Sequence, residues 1–182
     1  MDLDLWYEGP TVVIADKPAG LPVHPESFGG TRTLVNALLA NNRWLANMET
    51  SDAPGVVHVL EPEDRGMVVV AKSEESYQEL MALKEANALR FSCRVRVSAA
   101  VEPAPLAGVT VVDHQRYGDL SVYDIETSMG DTGKLRREWL HHEDAVTVVV
   151  YRVWVPMAKK SLDVGLGARV WLPRIDLYTA PP

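Results

Sequence analysis

The chain has 182 residues, a net charge of −7 and 47% hydrophobic residues. That length holds one domain of ordinary size or a compact pair of lobes, with enough apolar residues for a sizeable core. The acidic balance excludes a strong general affinity for nucleic acid, no run approaches the roughly 20 apolar residues of a membrane span, and the single cysteine, Cys93, excludes an internal disulfide.

In chain order, the acidic start MDLDLWYEGP lacks the basic and apolar regions of a secretory signal, so the expected compartment is cytoplasmic. Thr11–Ala15 reads as a strand, followed by a turn at Asp16-Lys17-Pro18-Ala19-Gly20. The segment 21–30, rich in proline and glycine, reads as loop. Thr33 is placed to cap a helix running through Leu34, Val35, Leu38 and Leu39 towards Trp44 and Leu45. Val56, Val57, Val59 and Leu60 favour a strand, as do Met67–Val70. Ser73 is placed to cap a second helix with Glu74 and Glu75 in its first turn.

Arg90–Ala99 alternates in part and reads as a strand with Arg94 and Arg96 on one side. Val109–Val112, Leu120–Thr127, Val146–Val155 and Val170–Tyr178 are further strands, with turns at Tyr117-Gly118-Asp119 and Gly130-Asp131-Thr132-Gly133. Two helices among many strands point to an α+β fold with a largely antiparallel sheet. No internal repeat or low-complexity tract breaks the chain, so residues 1–182 read as a single domain.

Between the two apolar runs of residues 56–70 lie Glu61, Glu63, Asp64 and Arg65. Two readings stand for them. One is a solvated acidic turn between core strands. The other is a carboxylate held for chemistry at the edge of a buried sheet. Basic residues cluster at Lys84, Arg90, Arg94 and Arg96, at Lys134, Arg136 and Arg137, and at Arg152, Lys159 and Lys160. They are either ordinary solubilising charge or a local basic track on an acidic body. His141-His142-Glu143-Asp144 is a poor metal site, because adjacent side chains diverge.

Two stretches resemble signatures of the RluA-type pseudouridine synthases. Asp16-Lys17-Pro18-Ala19-Gly20-Leu21-Pro22-Val23-His24-Pro25 is similar to the first of them. Pro54, Gly55, His58, Leu60, Gly66, Ala71 and Lys72 stand at matching positions of the second, catalytic one. Thr33–Leu39 and Thr132-Gly133-Lys134 extend the resemblance, and Val170–Pro181 is similar to the family's closing strand. The resemblance implies the synthase catalytic core, a mixed and mostly antiparallel sheet with flanking helices and a central cleft. It also implies no appended small RNA-binding domain before the first signature.

The chemical residues depart from the family pattern. Glu61 stands where the resemblance expects the nucleophilic Asp, and Phe91 where it expects the active-site Tyr. Val59 replaces an Arg after His58, and Trp139 replaces the Arg that pairs with the nucleophile. The resemblance therefore implies catalytic roles for Glu61 and Phe91, and substrate contacts from His58, Arg65, Arg90, Lys134, Arg136 and Arg137. Glu61 and Phe91 are expected to face each other across the cleft. The implied reaction detaches uracil from its ribose and rejoins it through carbon, on a base taken out of the stack, with no metal or organic cofactor. The implied partner is RNA, tRNA or rRNA, bound weakly; neither DNA nor a membrane is implied. Three functional readings follow: a synthase using Glu61, a catalytically silent RNA-binding relative, and an acidic protein-interaction module. The combined substitutions favour weakened or lost activity.

Overall fold

The computed structural model describes residues 3–25, 30–41, 45, 48, 54–141, 146–156 and 162–165. The chain divides into two compact units, Met1–Ala88 and Leu89–Pro182. In the first, strands β1 (Leu5–Glu8), β2 (Val12–Lys17) and β3 (Arg65–Ala71) pair antiparallel in that order. Every position of β2 is buried, and all of β3 after Arg65. Such strands are covered on both faces, which explains why their sequences run apolar without alternating. The register sets Val12 opposite Ala71 and Lys17 opposite Gly66. The end of β2 and the start of β3 therefore lie side by side, and the loops that leave them share one end of the sheet.

Helix α1 (Leu34–Asn41) starts as its sequence predicts. The Asn36 N–H donates to Thr33 Oγ1 at 3.2 Å, and the Thr33 hydroxyl donates to Asn36 Oδ1 at 2.6 Å. The predicted run towards Trp44 lies outside the described residues. Helix α2 (Glu74–Glu85) opens on a reciprocal cap: Ser73 Oγ accepts from the Ser76 N–H at 3.2 Å, and Ser76 Oγ accepts from the Ser73 N–H at 3.1 Å. Its buried residues are Ser76 and Leu80.

The strand predicted over Val56–Leu60 does not form beyond a single bridge, Val56 opposite Val70. The ladder stops because a side chain replaces the backbone. The Val69 N–H donates to His58 Nε2 at 3.1 Å rather than to a carbonyl. Gly55 also breaks the extended path, at φ +73.

In the second unit, β4 (Arg90–Ser98) lies between β6 (Leu120–Thr127) and β7 (Thr147–Val155). Strand β5 (Val109–Tyr117) borders β6, and β8 (Leu162–Gly165) borders β7. These pairings are all antiparallel. The inner face of β4 buries Phe91, Cys93, Val95 and Val97, while Arg94 and Arg96 share the partly open face, as the alternation predicts. β5 runs past the predicted Val112 to Tyr117, held by its hairpin with β6 through Gly118 at φ +60. It is exposed over most of its length, so its polar second half carries no apolar signal.

The turn predicted at Gly130–Gly133 becomes a helix start. Helix α3 (Thr132–Leu135) passes into a π-helical turn, Arg136–Leu140, which ends at His141 in the left-handed region. Trp139 is buried and meets Tyr123 in an edge arrangement with ring centroids 5.6 Å apart, and His114 stacks on Tyr123 at 4.1 Å. The strand predicted at Val170–Tyr178 lies outside the described residues. The chain is α+β with mostly antiparallel pairing, as its sequence predicts.

Candidate active site

The candidate carboxylate sits where the two loops of the first unit meet. Lys17 ends β2 with its side chain fully buried, a costly place for a charge. The cost is offset by backbone oxygens. Lys17 Nζ donates to the carbonyls of Leu21 at 2.6 Å, Asp64 at 2.7 Å, Pro62 at 3.1 Å and Pro18 at 3.2 Å. The Gly20 N–H donates to the same Pro62 carbonyl at 2.7 Å. Gly20 turns back at φ +80, a conformation that glycine adopts without strain. The Asp64 N–H donates to the Glu61 carbonyl at 3.0 Å and closes the turn.

Burial lowers the Lys17 ammonium from 10.5 to about 8, opposed in order by Asp64, Glu63 and Glu61. The acidic loop thus acts electrostatically on a buried cation, which its sequence alone does not show. Glu61 is half-buried, Glu63 is exposed and Asp64 is buried. Arg65, half-buried, opens β3 directly after them.

The other end of the segment is pinned as well. The Ala71 N–H donates to the Gly55 carbonyl at 2.8 Å, the Val57 N–H donates to the Val69 carbonyl at 3.0 Å, and Lys84 Nζ reaches from α2 to the Val57 carbonyl at 2.9 Å. His58 is buried, and its Nε2 accepts from the Val69 N–H, so the ring proton of this tautomer sits on Nδ1. This geometry gives His58 a structural task within the segment that carries Glu61.

In the second unit, Phe91 lies on the inner face of β4, opposite Thr127 and Val153, and is 1% exposed. A ring buried to that extent offers no open face for a base to stack on. Arg90, one residue earlier, is exposed. Arg94 is committed to Asp124: Nε donates to Oδ1 at 2.7 Å and Nη2 to Oδ2 at 2.6 Å. That hydrogen-bonded pair raises the guanidinium further above its usual range. Nearby, burial raises the Tyr151 phenol. Arg136 is buried, and its Nη2 donates to the Val146 carbonyl at 3.1 Å. Lys134 and Arg137 are exposed, with Lys134 Nζ 3.8 Å from Glu138.

The structure thus gathers Glu61, His58 and Arg65 on one segment of the first unit. It places Phe91 and Arg90 on β4, and Lys134, Arg136 and Arg137 on the helical turn of the second. Arg94 and Arg136 serve internal contacts, which leaves Arg90, Lys134 and Arg137 to face solvent. Lys17 and Lys84 also hold the segment of Glu61, through backbone carbonyls, and the sequence pattern gives neither that task. Their only signal is a lysine closing a buried strand and a lysine in the last turn of a helix. Among the described residues no group of three His, Cys, Asp or Glu side chains is placed to hold a metal ion, and His142–Asp144 lies outside them.

No family model matches the chain. Part of it is similar to curated bacterial proteins. It is 37% identical over 81 residues to the uncharacterized RNA pseudouridine synthase YlyB of Bacillus subtilis, covering 44% of this chain and 27% of that protein. It is 44% identical over 90 residues to the uncharacterized RNA pseudouridine synthase slr1629 of Synechocystis, covering 49% of this chain and 28% of that one. It is 42% identical over 81 residues to the ribosomal large subunit pseudouridine synthase D of Neisseria meningitidis, covering 44% and 21%. The chain thus spans about a quarter of the length of these relatives.

In fold it is similar to the solved structure of human RNA pseudouridylate synthase domain containing 4, with a TM-score of 0.58 at 14% identity, covering 96% of this chain and 90% of that one. The corresponding values for human RNA pseudouridylate synthase domain containing 1 are 0.57, 13%, 90% and 82%. The fold is the α+β core of a pseudouridine synthase. With the bacterial matches beside it, the chain is similar over nearly half its length to RNA pseudouridine synthases.

Proposed function

We propose that this chain is a uridine-isomerising domain acting on structured RNA, tRNA or rRNA, in the cytoplasm, with its isomerase activity weakened or lost. The observation that supports this most is the construction of the Glu61 loop. Lys17 and Gly20 tie it to the first signature by backbone hydrogen bonds, so the scaffold that presents a carboxylate is intact. The carboxylate itself sits one methylene further out than an aspartate would. A displacement of about 1 Å at a reacting atom costs on the order of 100-fold in rate.

Three features deepen the deficit. Phe91 has no hydroxyl and is buried. Val59 cannot hold a phosphate. Arg94, one of the cations nearest Phe91 in sequence, is already paired with Asp124. In this reading Glu61 and Phe91 hold the catalytic positions, and Arg65 stands in for the missing arginine beside the carboxylate. Arg90, Lys134 and Arg137 supply the phosphate contacts, so RNA binding is weak and salt-sensitive.

The test is pseudouridine mapping of cellular RNA, at single-base resolution, with and without the gene. The proposal expects few sites or none to depend on it, together with RNA retention at low salt. Many gene-dependent sites at full occupancy would contradict the weakened activity. Absence of RNA binding even at low salt would favour the protein-interaction reading.

A further inference from the structure

Among the described residues, strand β5 ends its sheet and borders β6 alone. Its side chains alternate between two faces. Asp113, Gln115 and Tyr117 share one: Gln115 Nε2 donates to Asp113 Oδ2 at 2.9 Å, and the Tyr117 hydroxyl donates to Gln115. His114 and Arg116 share the other, opposite Tyr123 and Ser121 of β6. On that face the His114 and Tyr123 ring centroids are 4.1 Å apart, with 3° between the ring planes. A hydrogen bond of 3.3 Å between His114 Nε2 and Ser121 Oγ fixes the imidazole in its plane.

Neighbouring strands lie about 4.8 Å apart, so parallel rings on directly opposed residues stack along the direction from strand to strand. One face of His114 therefore meets Tyr123, and the other points past β5, where no described strand pairs. His114 is exposed, so that outer face is open. The ring is also backed: Tyr123 is buried and meets the buried Trp139 edge-on. A held aromatic ring with one open face is a surface on which a nucleobase stacks, which the buried Phe91 is not. Arg116 is exposed and stands two residues along the same face, roughly 7 Å away along the strand. Its Nε lies 3.4 Å from the Gly118 carbonyl. One nucleotide bridges such a distance between its base and a phosphate. The Asp113 carboxylate, which would repel that phosphate, projects from the opposite face.

We infer that His114 is a stacking platform for an unpaired nucleobase of RNA, with Arg116 holding an adjacent phosphate. The inference rests on the reading of the chain as RNA-binding, and it adds a contact that lies outside the basic clusters of the sequence. A base inside a duplex is covered by its neighbours on both faces. The platform therefore takes a single strand and leaves a duplex aside.

The test uses the full chain at low salt with two probes, a short single-stranded RNA of mixed sequence and its duplex with the complementary RNA. In the wild type, the single strand moves the His114 ring-proton resonances upfield through the ring current of the stacked base, and the duplex leaves them in place. His114→Ala weakens single-strand binding by about ten-fold relative to duplex binding. His114→Phe keeps a ring and stays within about two-fold of the wild type. Arg116→Ala flattens the slope of log affinity against log salt for the single strand by about 0.7 units.

A single strand that binds with the His114 resonances unmoved, or that binds His114→Ala as tightly as the wild type, would overturn the platform and leave the RNA reading standing. The histidine would then serve only to cover Tyr123. Equal upfield shifts with the duplex would overturn the preference for an unpaired base. Binding of neither probe would overturn the RNA reading and the platform together. The resonance measurement needs the wild type alone, so the decision does not depend on the variants folding.

Discussion

The two units treat their charged side chains in opposite ways. In the first, Lys17 and Lys84 reach backbone carbonyls, and each hydrogen bond fixes a piece of the segment that carries Glu61. In the second, Arg94 closes on the Asp124 carboxylate and Arg136 on the Val146 carbonyl, so both guanidinium groups make contacts within the unit. The first unit holds the Glu61 loop through backbone contacts. The second buries Phe91 and Arg136 and pairs Arg94 internally. The contrast separates two uses of a cation: bonded to backbone carbonyls it holds the course of a loop, and closed on a carboxylate it neutralises a charge.

The strongest way to break this comparison is to disrupt the scaffold itself. Gly55 sits at φ +73, and a Cβ there would meet the Ala71 carbonyl oxygen at 2.5 Å. Gly55→Ala should destabilise by about 3 kcal/mol, read by chemical denaturation. A change below about 0.5 kcal/mol would show that the segment is not held as described. His58→Leu removes the acceptor of the Val69 N–H and should cost about 1–3 kcal/mol. Loss of RNA retention with unchanged stability would instead assign His58 to substrate.

Phe91→Tyr sharpens the contrast from the other unit. It places a hydroxyl at a position 1% exposed, with an expected cost of about 1–3 kcal/mol and no gain in conversion. A large gain in pseudouridine formation would show that the buried ring opens towards substrate. Arg94→Ala should have a smaller effect, about 1 kcal/mol, because the Asp124 pair is partly open to solvent. It should leave the salt slope of RNA binding almost unchanged, whereas Arg90→Ala, Lys134→Ala and Arg137→Ala should each flatten it by about one unit.

The smallest signal is the pH dependence set by Lys17. Its folded-state value is lowered to about 8 against 10.5. Between these values the unfolded chain binds more protons, so this group makes stability rise with pH from about 8 to 10.5. Comparison of wild type and Lys17→Met by thermal unfolding across that window should show the rise only in the wild type.

Much of this organisation is legible in the sequence because burial and caps leave patterns. The runs of β2 and β3 and the caps at Thr33 and Ser73 can be read directly. The strand over Val56–Leu60 misleads, since a histidine side chain takes a backbone donor and periodicity does not register that. The exposed length of β5 is silent for the opposite reason, having no apolar face to show. At the candidate site, the sequence offers Glu61 and the basic residues as candidates. That Lys17 bonds to the loop carbonyls and that Arg136 is buried do not show in it, because both arise from contacts between separate segments.

The most direct test of the account is pseudouridine formation by the purified chain on a pool of tRNA and rRNA, beside Glu61→Gln and Glu61→Asp. The wild type should barely exceed the Glu61→Gln background, and Glu61→Asp alone should not restore turnover while Phe91 and Val59 remain. Repeated turnover by the wild type, abolished in Glu61→Gln, would contradict it.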